Sequence, residues 1–256
     1  MEWVIEQDSW LTGVFGYGVF KLTLRSPRLH SAEAETSQLA EHVRARTAGF
    51  YYCRVGTDSI DAVRWLCASG FYVVDVNVTF RLPQAVLDSV LPFGSSPGVM
   101  ICTVQPSHHE AVLRIAASCF RYSRFHLDPM IPQAVADRVK RRWIESYTRG
   151  ERGEALYVAL ADGQVAGFLA VLGREVDGRP VKVIDLIGVD SAVQRRGIGR
   201  GLVRFFIDRY RECDQLQVGT QLANIPSLQL YQHLGFGIAD AAYVLHRHVV
   251  DGARGD

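Results

Sequence analysis

Residues 184–206 read IDLIGVDSAVQRRGIGRGLVRFF. An apolar run leads into Gln194-Arg195-Arg196-Gly197-Ile198-Gly199, and an apolar helical pattern begins at once. Glycine lets the chain turn tightly and bring backbone N–H groups close to an anion. A helix starting there adds unpaired N–H groups and the positive end of its dipole. Arg195, Arg196 and Arg200 add charge at the rim. The segment therefore reads as strand, phosphate-binding turn and helix. Neither common nucleotide fingerprint fits: there is no G-x-x-x-x-G-K-[ST], and the third glycine of G-x-G-x-x-G is missing.

Working outward, residues 215–220 predict a strand, 225–234 a helix and 241–249 a final strand. Upstream, 182–189 is a strand, and 156–161 and 164–172 flank Asp162-Gly163, a strong hairpin signal. Residues 132–148 form a helix with Trp143, Ile144 and Tyr147 on one stripe. An earlier helix opens at Ser107, with Glu110 completing a capping box, and ends near Ala117. A strand over 100–104 precedes it. This order implies a mixed α/β sheet.

Residues 92–99, PFGSSPGV, can hold neither a helix nor a central strand. They divide the chain into a small N-terminal α/β domain (1–92), a linker (93–99), a larger domain (100–250) and a tail (251–256). The N-terminal part predicts strands over 14–24, 51–55 and 71–82 and helices over 31–47 and 59–68. There is an internal echo: SIDAVRWLCASGFYVVDVNVTF at 59–80 and IPSLQLYQHLGFGIADAAYVLHR at 225–247 both run helix, Gly-Phe turn, strand. The echo is either a truncated copy of the same unit or a common helix–turn–strand pattern, and the copy is the reading preferred.

Apolar residues make up 48% of the 256, enough for a sizeable core, and the net charge is +1 with both signs well mixed. That charge pattern gives no footprint for nucleic acid. The five cysteines form no C-x-x-C pair, so neither a disulfide framework nor a zinc site is expected, and no metal. The N-terminus MEWVIEQDSW is acidic where a secretory signal would be basic, and no apolar run is long enough to span a bilayer. The expectation is a cytoplasmic protein with no membrane partner.

The loop Gln194–Gly199 matches Q/R-x-x-G-x-G/A, and in it the chain resembles the GNAT superfamily of N-acetyltransferases. The ending Tyr231-x-x-Leu234-Gly235-Phe236 is also familiar from that superfamily. The resemblance implies a splayed central sheet and acetyl-CoA as cosubstrate. It implies that Ile187, Gly188 and Val189 bind the pantetheine arm, and that Gln194, Arg195, Arg196, Gly197, Ile198, Gly199 and Arg200 hold the pyrophosphate. It further implies that Asn224 contacts the cofactor and Tyr231 protonates the departing thiolate. The chemistry needs an unprotonated amine, an oxyanion donor such as the Val189 N–H, and an acid; a tyrosine of pKa about 10 stays protonated and can donate. Asp185 shares a strand face with Ile187 and Val189 if alternation holds, and is either a general base or a paired structural acid. Asn224 is equally placed to cap the helix that follows it.

Residues 118–150 are similar to the dTDP-fucosamine acetyltransferases of enterobacterial common antigen synthesis, through Ser123-Arg124-Phe125 and Trp143-Ile144-Glu145 ahead of Arg149-Gly150. Val14-Phe15-Gly16 and Thr220-Gln221-x-x-Asn224 extend the likeness. It implies a nucleotide-activated amino-sugar acceptor, such as dTDP-4-amino-4,6-dideoxygalactose. Arg121, Arg124 and Arg138 are suited to a diphosphate, and Phe120, Tyr122 and Phe125 to stacking. The alternatives are a different amine acceptor (peptide, polyamine, aminoglycoside) and a non-catalytic acyl-CoA sensor. Superfamily members are often dimers, so a homodimer is one expected state.

Overall fold

The computed structural model of the protein describes residues 2–26, 48–83, 86–87, 98–176 and 178–250. The expected helix at 31–47, the linker residues 93–97 and the tail 251–256 lie outside them.

Two compact units emerge, and they are not cut at a single point of the chain. The first takes residues 1–77, 124–135 and 240–256; the second takes 78–123 and 136–239. The expected division near residue 92 lies outside the described residues. The final strand crosses into the first because its alternating residues pair there.

In the first unit, β1 (Glu2–Gln7) runs antiparallel to β2 (Val19–Ser26), β2 parallel to β3 (Gly49–Gly56), and β3 antiparallel to β10 (Gly237–Val249). Helix α1 (Ser9–Phe15) separates β1 from β2. Residues 14–15 were expected in a strand; they are helical because Asp8 caps the helix by accepting from the Leu11 N–H, and Gly16, at φ +82°, ends it. Helix α2 (Ile60–Ala68) follows, and β4 (Tyr72–Leu82) begins in this unit and ends in the second. Leu22, Tyr51, Cys53, Leu66, Phe71 and Leu245 form the buried core.

In the second unit, β5 (Val99–Thr103), β6 (Ala155–Ala161), β7 (Gln164–Val176) and β8 (Arg179–Val189) are antiparallel neighbours, and β9 (Gln215–Gln221) joins β8 in parallel. The β6–β7 hairpin turns on Asp162 at φ +49° and Gly163 at φ +74°, the two positive angles a two-residue turn demands. Helices α3 (His109–Ala116) and α5 (Gln133–Thr148) follow one another in the chain on either side of α4 (Arg124–Leu127), a short helix that belongs to the first unit. The capping box before α3 is two residues earlier than expected: a 3-10 turn over Pro106–His108 is closed reciprocally by Gln105 and His108, not by Ser107 and Glu110.

Alternation along the strands sorts side chains to two faces. Leu156, Val158, Phe168 and Ala170 pack with Val112, Ile115 and Ile144 of α3 and α5. Tyr157, Leu169, Val171 and Ile184 pack with Leu202, Val203 and Phe206 of α6 (Ile198–Arg209), and with Tyr231 of α7 (Ile225–His233).

The echo is real in three dimensions. After α2, Gly70 stands at φ +86° and the Phe71 N–H donates to the Leu66 carbonyl at 3.0 Å. After α7, Gly235 stands at φ +86° and the Phe236 N–H donates to the Tyr231 carbonyl at 3.0 Å. Both phenylalanines are buried, and both glycines occupy the left-handed position that closes a helix C-terminus. Leu66 thus stands where the second unit has Tyr231.

Leu202 is fully buried between α6 and the sheet. Leu202→Ala is expected to cost about 2–5 kcal/mol through lost transfer energy and a residual cavity, read as a lower urea midpoint at unchanged m-value.

Candidate active site

The site is built where β8 leaves its neighbour. β8 and β9 pair from Val181↔Gln215 to Ile184↔Val218 and no further, although β8 runs on to Val189 and β9 to Gln221. Ile187, Gly188 and Val189 keep their antiparallel partners Leu169, Phe168 and Gly167 on β7. One edge of β8 is therefore released over the residues that the resemblance assigned to the pantetheine arm.

At the released end, Asp190 and Gln194 fold the chain back: Asp190 Oδ1 accepts from the Ala192 N–H at 3.0 Å, and Gln194 Nε2 donates to the Val189 carbonyl at 3.2 Å. Arg195 takes φ +63° and Gly197 φ +81°. Gly197 is the N-cap of α6 and offers no side chain to the helix, so the first-turn N–H groups are left for another acceptor. No acid lies in that turn. Gln194, Arg195, Arg196, Gly197 and Arg200 are exposed, and Ile198 is buried and pins the turn to the core. A Cβ at Gly199 would lie 3.7 Å from Val189 Cγ2 and 3.9 Å from Leu230 Cδ2, so the strand end, the turn and α7 meet at one point. Those exposed arginines and free N–H groups fit a pyrophosphate.

On α7, Asn224 is the N-cap. Its Oδ1 accepts from the Ser227 N–H at 3.4 Å and its Nδ2 donates to Thr220 Oγ1 at 3.2 Å. It holds the first turn, as asparagine does before a helix. Tyr231, 2% exposed, lies among Phe80, Phe236 and the α6 side chains. Its hydroxyl bonds with Ser227, one turn back, as a helical tyrosine pointing toward the N-terminus would. Burial pushes its pKa well up, so it stays a protonated donor.

Asp185 is a different matter. The β7–β8 register steps between Ala170↔Leu186 and Val171↔Ile184, leaving Asp185 as the extra residue of a bulge. Strict alternation fails there: Ile184 and Ile187 face the α6 core, whereas Leu186 faces the α5 core. Asp185 turns toward α5 too, away from the face of Ile187 and Val189. Its Oδ2 accepts from Trp143 Nε1 at 2.8 Å, the Tyr147 hydroxyl at 2.8 Å and Arg152 Nε at 2.9 Å, while Arg152 Nη2 reaches Oδ1 at 3.2 Å. A carboxylate so occupied has no lone pair aimed at a substrate amine. Of the two sequence readings, the geometry supports the paired structural acid.

The residues expected to meet the acceptor are dispersed. Arg121 and Arg138 are exposed on the second unit. Arg124 and Phe125 belong to the first. The Arg124 guanidinium lies 3.8 Å from the Tyr52 ring centroid and 4.4 Å from that of Phe125, and burial lowers its pKa to about 10. Phe125, 1% exposed, packs against Phe15. Phe125 is therefore a core residue and not a stacking surface: the apolar side of α4 buries it. Sequence reading passed over Cys119, whose sulfur would lie 2.8 Å from a Cβ on Gly188; burial raises the thiol to about 12. Nothing in its spacing marks it.

Residues 110–236 match the model of the acetyltransferase (GNAT) family. That segment belongs to the GNAT family. The chain is 24% identical over 200 residues to the spore coat polysaccharide biosynthesis protein SpsD of Bacillus subtilis, covering 77% of this chain and 66% of that one. Among solved structures, a GCN5-related N-acetyltransferase from Sphaerobacter thermophilus superposes with a TM-score of 0.62 at 16% identity, over 92% of this chain and 74% of that one. A tandem GNAT protein from the clavulanic acid biosynthesis pathway gives a TM-score of 0.58 at 14% identity, over 91% and 76%. These likenesses establish the GNAT fold, with its mixed, open sheet. The chain spans about two thirds or less of the curated relatives it matches first. Among the described residues no helix is long and apolar enough to cross a membrane.

Asp185→Asn weakens the Arg152 ion pair and leaves an amide where three donors converge. A loss of about 2–3 kcal/mol is expected, below that of a fully buried pair because Arg152 is partly exposed; a denaturant midpoint reads it. Gly188→Ala would place a methyl 2.6 Å from the Phe168 ring and 2.8 Å from Cys119 Sγ. It should cost about 1–3 kcal/mol by overpacking and weaken acetyl-CoA binding, seen by calorimetry.

Proposed function

We propose that the protein is an acetyl-CoA-dependent N-acetyltransferase whose acceptor is a nucleotide-activated amino sugar of the dTDP-4-amino-4,6-dideoxyhexose class. The observation that carries the transferase reading is the edge of β8 released beyond Ile184, next to the uncapped start of α6 at Gly197. Bound acetyl-CoA supplies the activated acetyl thioester. The turn 194–199 and Arg200 hold its pyrophosphate by backbone N–H groups and charge, and the free edge of Ile187–Val189 hydrogen-bonds its amide-bearing arm. Asn224 supports this indirectly, by fixing the first turn of α7.

Tyr231 is the acid. Its hydroxyl points toward the first turn of α7, and its raised pKa keeps the proton in place until a thiolate develops. The Val189 N–H, at the end of the released edge, is the oxyanion donor. Asp185 acts at a distance, holding Trp143, Tyr147 and Arg152 against the bulged strand.

Two lines support the amino-sugar acceptor: the local likeness around residues 118–150, and the relative whose name places it in polysaccharide biosynthesis. Arg121, Tyr122 and Arg138 are exposed, and Phe125 is withdrawn from acceptor contact by its burial. We further propose that the first unit is a truncated copy of the second. It retains the helix–glycine–strand closure and has lost the phosphate turn.

A thiol-release assay with acetyl-CoA tests this against dTDP-4-amino-4,6-dideoxygalactose, its gluco epimer, spermidine and a lysine peptide. Turnover confined to the dTDP sugars is the expected result; turnover with spermidine or peptide alone would sink the acceptor while leaving the transferase. Tyr231→Phe should lower kcat by about 10²-fold or more with little change in the KM for acetyl-CoA, and wild-type kcat should show no alkaline fall below about pH 10. An unchanged kcat in the variant would remove Tyr231 as the acid.

A further inference from the structure

The first unit contains a cluster that the transferase chemistry does not use. His246 and His248, two apart on β10, project from the same strand face. Asp128 follows α4 and meets both. Asp128 Oδ2 lies 2.6 Å from His246 Nδ1 and 2.9 Å from His248 Nε2. One donor atom from each of the three residues falls within 4.8 Å of the others.

The surroundings hold these groups in place. Asp128 Oδ1 accepts from the Tyr72 hydroxyl at 2.7 Å and from the Met130 N–H at 2.9 Å. One carboxylate oxygen is thus saturated by fixed donors, and the other is turned to the imidazoles, the outer-shell support that a ligating carboxylate needs. The Phe50 ring stacks on His248 at 4.7 Å and 12° and meets His246 edge-on at 4.7 Å, walling the cluster with apolar surface. Asp128 and His246 are buried, while the His248 side chain is 9% exposed and forms the rim through which an ion would enter.

We propose that Asp128, His246 and His248 form a binding site for a divalent transition metal, with zinc the ion best matched by the donor set. Two imidazoles and one carboxylate are borderline ligands of the kind zinc prefers, and the fourth position falls to water or another small donor. Binding requires a modest opening of the two His–Asp gaps and a closing of the His–His gap, toward the roughly 3.3 Å separation of tetrahedral ligands about 2 Å from a metal. With both histidines neutral, no proton need be released. His246 moves its proton from Nδ1 to Nε2, and His248 from Nε2 to Nδ1. His246 Nε2 has no hydrogen-bond partner in the unliganded arrangement, so the tautomer change breaks no bond there. The site shares no residue with the acetyl-CoA site.

The test uses the full chain, stripped with chelator and dialysed against buffered Zn(II), with metal content measured by mass spectrometry. Co(II) substitution adds a spectrum. The expected result is about one zinc per chain, Co(II) ligand-field bands in the visible without a thiolate charge-transfer band, and at least a tenfold weaker affinity in His248→Asn. That variant lies at the rim, and circular dichroism checks its fold. Zinc retained equally by wild type and by folded His248→Asn, or no zinc retained by wild type, overturns the proposal. If His248→Asn fails to fold, the wild-type Co(II) spectrum decides: histidine–carboxylate bands sustain the site, and thiolate bands or none refute it.

Discussion

Beyond Ile184, β8 is held along one edge only, and the second unit is organised around that loss. A strand that gives up a neighbour leaves polar backbone groups to be satisfied elsewhere. Here the antiparallel ladder to β7 is kept through Val189, so the strand stays rigid while its other side opens. Gly188 lets Phe168 and Cys119 close in behind it, and Gly199 brings α6 against Val189. Under the proposed function, the missing ladder is replaced by the amides of the cosubstrate, and the start of α6 receives its phosphates.

The bulge at Asp185 is the device that makes one strand serve two faces. Two successive residues, Asp185 and Leu186, point toward α5, after which the alternation resumes with Ile187 toward the α6 side. The extra residue is secured by Trp143, Tyr147 and Arg152 together, and Arg152 also lies 4.7 Å over the Trp143 ring. Gly153, next in the chain, stands at φ +73° where any Cβ would strike the Tyr147 ring. This polar knot therefore sets the angle at which the released edge is presented.

The strands, the α6 turn and the α7 cap could be read from the sequence because their signals are local: Asp162-Gly163, Gly197 at a helix start, Asn224 before Ile225. The bulge could not, since an inserted residue shows only in the partner strand's register. Phe125 entered the acceptor set through the resemblance of residues 118–150, and its burial beside Phe15 shows only once α4 is folded. The place of the last strand is not local either: residues 242–249 reach the first unit by pairing with β3, which no neighbouring residue records. His246-Arg247-His248 reads as ordinary strand alternation until Asp128 is brought beside it.

The paired closures after α2 and α7 carry a consequence for stoichiometry. Leu66 occupies the place of Tyr231, and among the described residues α1 and α2 start on Asp8 and Ser59, not on a glycine as α6 does. Under the proposed function, the helix closure is repeated while the acid and the anion-binding turn are not, so two similar scaffolds serve one reactive centre. Under that reading acetyl transfer runs at one site per chain, and Asp128, His246 and His248 of the first unit stand outside the reaction.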